Sequence, residues 1–132
     1  MADQLLTNLK VLVVEDEMLV MMAIEDMLTD LGCTSIAVAG TIDQALDLIA
    51  NHDFDLATID LNLNGARSYP VARALEECGV PFAFSTGYGE YGIGEGFGGR
   101  PVLTKPYGNF QLVTVLTALL AASDTAAAAA AA

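Results

Sequence analysis

Residues 54–65 read Phe54-Asp55-Leu56-Ala57-Thr58-Ile59-Asp60-Leu61-Asn62-Leu63-Asn64-Gly65. A short apolar run ends in a carboxylate and passes at once into a polar turn. The run suits a buried strand over 55–60, and an acid at the end of such a strand costs free energy unless something uses it. Two further acids, Glu15 and Asp16, close the earlier run Lys10-Val11-Leu12-Val13-Val14, and Lys105 closes the later run Val102-Leu103-Thr104. If the three strands are parallel, these four charged side chains meet at one edge of one sheet. Three acids and a lysine in that position read as a site for a divalent cation and a phosphoryl group.

The rest of the chain fits a parallel sheet. Strands are expected over 10–14, 35–39, 55–60, 81–86 and 101–104, and helices over 17–31, 42–51, 67–78 and 109–121. Val20, Ala23, Ile24, Met27, Leu28 and Leu31 recur at helical spacing and predict the buried stripe of the first helix. Gly32 sits where a helix-ending glycine belongs. Thr41-Ile42-Asp43-Gln44 has the form of a capping box, and Ala45, Leu46, Leu48 and Ile49 supply the second stripe. Pro70 falls in the first turn of the third helix, where a missing N–H costs little. Phe110, Val113, Leu116, Thr117 and Leu120 predict the stripe of the last helix. Between the fourth and fifth strands, half of residues 87–100 are glycine, a composition that disfavours helix by roughly 1 kcal/mol per glycine relative to alanine. Strands alternating with helices imply a parallel sheet covered on both faces, with ligands outside the carboxyl ends of the strands. Those ends carry Glu15, Asp16, Asp60, Thr86 and Lys105.

Composition narrows the function. At 132 residues the chain is one domain by size, and 54% hydrophobic against 17% charged residues allows a substantial core. Five basic and 17 acidic residues give a net charge of −12, which disfavours nucleic acids and anionic membranes as partners. Cys33 and Cys78 lie in no metal-type cluster and His52 is the one histidine, so zinc is not expected; two free, largely buried thiols are. No signal core or membrane-length apolar stretch is visible, which points to the cytoplasm. Residues 126–132 are alanine throughout and enter no functional argument.

Each site residue has a plainer explanation when taken alone. Asp16 could cap the first helix, Asp60 could cap a turn, Thr86 is a strand former, and Lys105 could be a solvated charge. The set together is harder to dismiss, because it falls at the ends of strands 1, 3, 4 and 5. Paired carboxylates with carbonyl oxygens and water make the hard oxygen site that Mg²⁺ prefers, and Mn²⁺ could take the same ligands. An aspartate can attack phosphorus to give an acyl phosphate, with Mg²⁺ and a lysine neutralising the transferred group.

The segments Val-Leu-Val-Val-Glu15-Asp16-Glu17, Ile-Asp60-Leu-Asn, Phe-Ser-Thr86-Gly and Leu-Thr-Lys105-Pro106 resemble the receiver domains of bacterial two-component response regulators, over about residues 8–121. The resemblance implies a flavodoxin-like (βα)5 three-layer sandwich, α/β class, sheet order 2-1-3-4-5, with a glycine-rich loop in place of the fourth helix. One receiver domain would cover 1–125, followed by a tail over 126–132. By position, Asp60 would be the phosphoacceptor. Asp16 and Asp60 would bind Mg²⁺ directly, Asn62 would lend its backbone carbonyl, and Glu15 would act through water. Thr86 and Lys105 would contact the phosphoryl group, and the Lys105–Pro106 peptide bond would be cis. A histidine kinase or phosphotransfer protein would be the donor. Output would pass by protein contact to a downstream partner, or the domain would drain phosphoryl groups; no enzymatic turnover of an external substrate is implied.

Some residues depart from the family pattern. Val102 stands where many receivers carry an aromatic switch residue, and Leu63-Asn64 replaces a frequent Met-Pro pair. Phe84-Ser85-Thr86-Gly87-Tyr88-Gly89 is similar to the Phe-Ala-Thr-Gly signature of a single-domain receiver subfamily. The switch is accordingly expected in Thr86, Gly87, Tyr88, Val102 and the glycine-rich loop, with Tyr88, Tyr91 and Phe97 docking or forming a partner surface beside strands 4 and 5 on activation. Competing readings are a flavin binder, opposed by the acids after strand 1 that would repel phosphate, an aspartyl-phosphate phosphatase, which would want its nucleophile after strand 1, and a phosphorylation-independent pseudo-receiver that acts only as a binding module.

Overall fold

The computed structural model describes residues 5–87, 94, 96–97 and 100–131, with side chains as far as 121. Five strands form one parallel sheet: β1 (Lys10–Val14), β2 (Ser35–Ala39), β3 (Leu56–Asp60), β4 (Phe82–Thr86) and β5 (Val102–Thr104). Their order is β2-β1-β3-β4-β5, and every neighbouring pair is parallel. Four helices are found among the described residues: α1 (Met18–Asp30), α2 (Ile42–Asn51), α3 (Tyr69–Glu77) and α4 (Asn109–Ala131). This is the flavodoxin-like three-layer arrangement, with no described helix between β4 and β5.

Alternation along the strands builds the two core layers. Val11, Val13, Leu56, Ala83 and Leu103 face Ile24, Leu28, Leu112, Leu116 and Leu119 of α1 and α4. Leu12, Val14, Ala57, Ile59, Phe82 and Phe84 face Ala45, Ile49, Val71, Ala72 and Leu75 of α2 and α3. All five residues of β3 and of β4 are buried, as strands covered on both faces must be. The register pairs Val14 with Ile59, Asp60 with Ser85, and Thr86 with Thr104, so the carboxyl ends of four strands lie level.

Helix boundaries follow local chemistry. Gly32 takes φ 91°, while Cys33 donates its N–H to the Leu28 carbonyl and Gly32 to that of Thr29, the paired bonds of a Schellman ending. At α2 the Thr41 hydroxyl accepts from the Gln44 N–H at 3.1 Å. The Gln44 side chain reaches back one residue further than a strict capping box, accepting from the Gly40 N–H at 2.9 Å.

Several sequence expectations need correction. The turn after β3 is a two-residue hairpin, Asn62–Leu63 against Ala66–Arg67, so α3 begins at Tyr69 rather than 67. Asn64 and Gly65 sit at its apex with φ 53° and 90°, the pair of positive angles that a type I′ turn requires. The last helix buries Leu112, Leu116 and Leu119; of the expected stripe, Leu116 is buried and Val113 and Leu120 pack against the core, while Thr117 is exposed and Phe110 is 80% exposed. In α1, Ile24, Leu28 and Leu31 are buried, but Ala23 is exposed and Val20 and Met27 are only half-buried. Cys33 is buried, whereas Cys78 is exposed.

Part of the glycine-rich segment is packed. Phe97 is 3% exposed, stacked on Tyr69 at 5.7 Å and edge-on to Phe82 and Phe84. The Tyr69 hydroxyl accepts the Gly94 N–H at 2.8 Å. Arg100 lies over the Phe82 ring at 4.7 Å and pairs with Glu76. Phe97 thus occupies the aromatic seat against β4 and α3 already, rather than being held back for activation. Tyr88 and Tyr91 lie outside the described residues. Among the described residues no helix is long and apolar enough to cross a membrane.

Candidate functional site

The level strand ends bring Glu15, Asp16, Asp60 and Lys105 into one cluster. The Lys105 Nζ lies 2.8 Å from Glu15 Oε2 and 3.1 Å from Asp60 Oδ2. Carboxylate oxygens of Glu15, Asp16 and Asp60 lie within 4.8 Å of one another. Lys105 is brought there by its own backbone, whose N–H donates to the Thr86 carbonyl at 2.7 Å and so extends the β4–β5 ladder by one bond. The Lys105–Pro106 peptide bond is cis.

Each acid is oriented differently. Asp60 Oδ1 accepts the Asn62 N–H at 3.1 Å, leaving Oδ2 to Lys105. Asp16 is half-exposed, and its Oδ2 accepts the Asn64 N–H at 2.9 Å. Glu15 is fully buried; its Oε1 accepts the Glu17 N–H at 3.2 Å. The hairpin is tied in turn, since the Asn62 side-chain oxygen accepts the Gly65 N–H at 2.9 Å.

Burial and crowding set the charges. Burial pushes the Glu15 carboxyl up to about 7, with Asp60 beside it adding to the rise and Lys105 opposing it. Burial also raises Asp60, although Glu15, the Asn62 N–H and Lys105 pull the other way. Asp16 is lowered: its burial would raise it, but the Asn64 N–H and its other donors outweigh that. Burial would lower Lys105, yet the two acids beside it hold it above the usual lysine range. Two acids with raised values beside a third that stays ionised describe a carboxylate cluster short of positive charge. A divalent cation would supply it.

A cavity of about 210 Å³ opens over the cluster, lined by Asp16, Glu17, Asp60, Asn62, Asn64, Gly65, Gly87 and Lys105. Asn64, Gly65 and Glu17 carried no role in the sequence reading; the Asn-Gly pair is the signal that could have placed the first two. Asn64 also gives the departure from Met-Pro a physical reason. A proline can reach neither φ 53° nor donate an N–H to Asp16. Thr86 is buried at the end of β4 and is not among the residues lining the cavity, whereas Gly87 is. Val102 is 41% exposed on β5, away from the cluster. Ser85 and Tyr107 carry buried hydroxyls with no partner in hydrogen-bonding geometry.

The chain is similar to known proteins in sequence and fold. Residues 11–117 match the model of the response regulator receiver domain family. The cell cycle response regulator CtrA of Brucella ovis is 30% identical over 126 residues, covering 85% of this chain and 50% of its own length. The chain thus spans about half the length of the curated relatives it matches. The solution structure of SdrG from Sphingomonas melonis Fr1 superposes with a TM-score of 0.78 at 38% identity, covering 88% of this chain and 98% of SdrG. The BeF3-activated conformation of SdrG from Pseudomonas melonis Fr1 gives 0.74 at 36% identity, covering 91% of this chain and 99% of that one. The receiver domain of Erythrobacter litoralis PhyR gives 0.72 at 27% identity, covering 86% and 91%.

Proposed function

The chain belongs to the response regulator receiver family, a family of signalling modules rather than catalytic enzymes, and from that premise we propose that it accepts a phosphoryl group on Asp60 in two-component signalling. The observation that carries this reading is the contact of Lys105 with both Glu15 and Asp60 at the mouth of an acidic cavity. Receivers are phosphorylated by histidine kinases, and a kinase or phosphotransfer protein is the proposed donor here.

In the proposed transfer, an Asp60 carboxylate oxygen attacks the phosphorus of a phosphohistidine or small acyl phosphate. The new O–P bond forms as the bond to the leaving group breaks and the leaving group keeps that electron pair; a leaving imidazole takes up a proton, whereas a carboxylate leaves as the anion. Mg²⁺, with Mn²⁺ able to replace it, would neutralise charge on the phosphoryl oxygens. Asp16, Asp60 and the Asn62 carbonyl would hold the ion, with Glu15 acting through water. The three clustered carboxylates, two of them with raised proton affinity, suit that role. Lys105 supplies a second positive charge, and Thr86 would donate its hydroxyl to the transferred group. Water attacking phosphorus later breaks the O–P bond and restores the carboxylate.

Met18, Leu19 and Met22 are exposed on α1, which follows directly on the cavity residues Asp16 and Glu17, and Phe110 is exposed on α4. This face would receive the phosphodonor protein in the cytoplasm. Thr86 and Gly87 would start the switch, with Val102 on β5 in register with Phe84 and Tyr88 following Gly87 in the chain. The receiver would take in residues 1–125, with 126–132 a tail, and output would pass to a downstream protein or end as a phosphoryl drain. The alternative is a pseudo-receiver that binds partners without phosphorylation. Labelling with a small phosphodonor separates the two: a hydroxylamine-labile label that needs Mg²⁺ supports the receiver, and failure to label under any Mg²⁺ or Mn²⁺ concentration supports the alternative.

A further inference from the structure

Ser85 and Tyr107 stand out from the layer they occupy. Val13, Leu56, Ala83 and Leu103 make that face of the sheet mostly apolar, Thr58 between Val13 and Ala83 carries another buried hydroxyl there, and Tyr107 packs against the same cluster. The Ser85 side chain is 1% exposed and points into this layer by the alternation of β4, in register with Asp60 on one side and Leu103 on the other. Ser85 neighbours the Tyr107 hydroxyl, and neither hydroxyl has a partner in hydrogen-bonding geometry. Two hydroxyls in an apolar layer are costly singly and tolerable as a pair.

The location gives the pair a task. Lys105 is held from the β4 side by its N–H bond to Thr86. Pro106, which follows, has no N–H to continue the ladder and is exposed. Tyr107 is the first side chain after Lys105 to return to the core. We infer that Tyr107 is a positioning residue for Lys105: its hydroxyl and that of Ser85 close into one hydrogen-bonded unit, fixing the turn after β5 against β4 so that the ammonium stays over Asp60. This rests on the proposed phosphoryl transfer and adds to it a residue pair that none of the expected site residues include.

The test compares Tyr107→Phe, Ser85→Ala and the double variant, each with Lys105 intact and with Lys105→Ala. With a small phosphodonor and Mg²⁺, each single variant should take up the phosphoryl group about fivefold more slowly, the worth of one net hydrogen bond. The double variant should lose no more than either single, and none of the three should lose anything further in the Lys105→Ala background. Equal losses with and without Lys105, or no loss at all, would overturn the inference, since packing alone would then explain the pair. If the wild-type chain takes up no phosphoryl group, the proposed function fails separately. The inference is then decided by the NMR resonance of the Lys105 ammonium, which should move in both single variants and contradicts the inference if it stays.

Discussion

Glu15 and Asp60 crowd one lysine at the ends of adjacent strands, and their protons set the pH behaviour expected of the molecule. The folded Glu15 carboxyl is pushed up to about 7 from 4.5, so between those values the folded state holds a proton that the unfolded state gives up. Stability of the metal-free protein should therefore fall as pH rises from about 4.5 to about 7. Asp60 is raised and acts with the same sign; Asp16 is lowered and loses its contribution only on acidification below the usual aspartate range. Lys105, raised, stays charged across the window. Mg²⁺ binds the ionised acids, so the rise in Tm it produces should be small near about pH 5.5 and larger near about pH 8. Thermal melts in chelator and in Mg²⁺ check both points; a metal-free Tm that climbs through the window contradicts the charge assignment. Asn64 offers a second test at this scale. Asn64→Pro cannot keep φ 53° or the N–H to Asp16, and should cost about 2 kcal/mol in urea unfolding and weaken Mg²⁺ binding. Asn64→Gly keeps both and should stay within about 0.5 kcal/mol; equal behaviour of the two would show the turn to be incidental. Asp60, Glu15, Asp16 and Lys105 were legible in the sequence because a charge at the end of an apolar strand has few explanations. Ser85 and Tyr107 were not, because a serine in a strand and a tyrosine after a proline fit many environments until their neighbours are known.

Elements were read with uneven success, for reasons visible in their composition. The β-strands are short apolar runs bounded by turn residues, and their ends fell within a residue of expectation. The hairpin after β3 was missed although Asn64-Gly65 is a strong turn signal, because its two-residue strands are too short to show a period. The α4 stripe was read in part, with Leu116, Val113 and Leu120 on the core side but Leu112 and Leu119 missed and Phe110 wrongly included, because the helix is apolar almost all round and packing against Leu56 and Leu103 decides which side is buried. The glycine-rich segment was read as loop by composition, but its buried anchor was not. Phe97→Ala should destabilise by about 3 kcal/mol or more, as removal of a buried aromatic does. A loss below about 1 kcal/mol in urea unfolding would mean that this end of the segment does not hold to β4. On α1, Leu19 is 82% exposed, so Leu19→Asp should leave stability nearly unchanged. It should slow transfer from a protein phosphodonor about tenfold while sparing a small phosphodonor. Equal slowing with both donors would place Leu19 in the chemistry rather than in docking.

At the scale of the whole molecule, the parallel order β2-β1-β3-β4-β5 puts every strand's carboxyl end on one side, and the register levels them. Four charged side chains from three strands then meet without any one segment supplying more than two. Seventeen acids and five bases are spread over the chain, a net charge of −12, while the half-buried Lys105 sits where three acids converge. That concentration sets the strand edge apart from the rest of the acidic surface. The account stands on Asp60 being the residue that takes the phosphoryl group. Intact-mass spectrometry tests this most directly, on wild type and Asp60→Ala incubated with a small phosphodonor, with and without Mg²⁺. The account predicts a gain of one phosphoryl group in wild type with Mg²⁺ and none in Asp60→Ala; undiminished labelling of Asp60→Ala would contradict it.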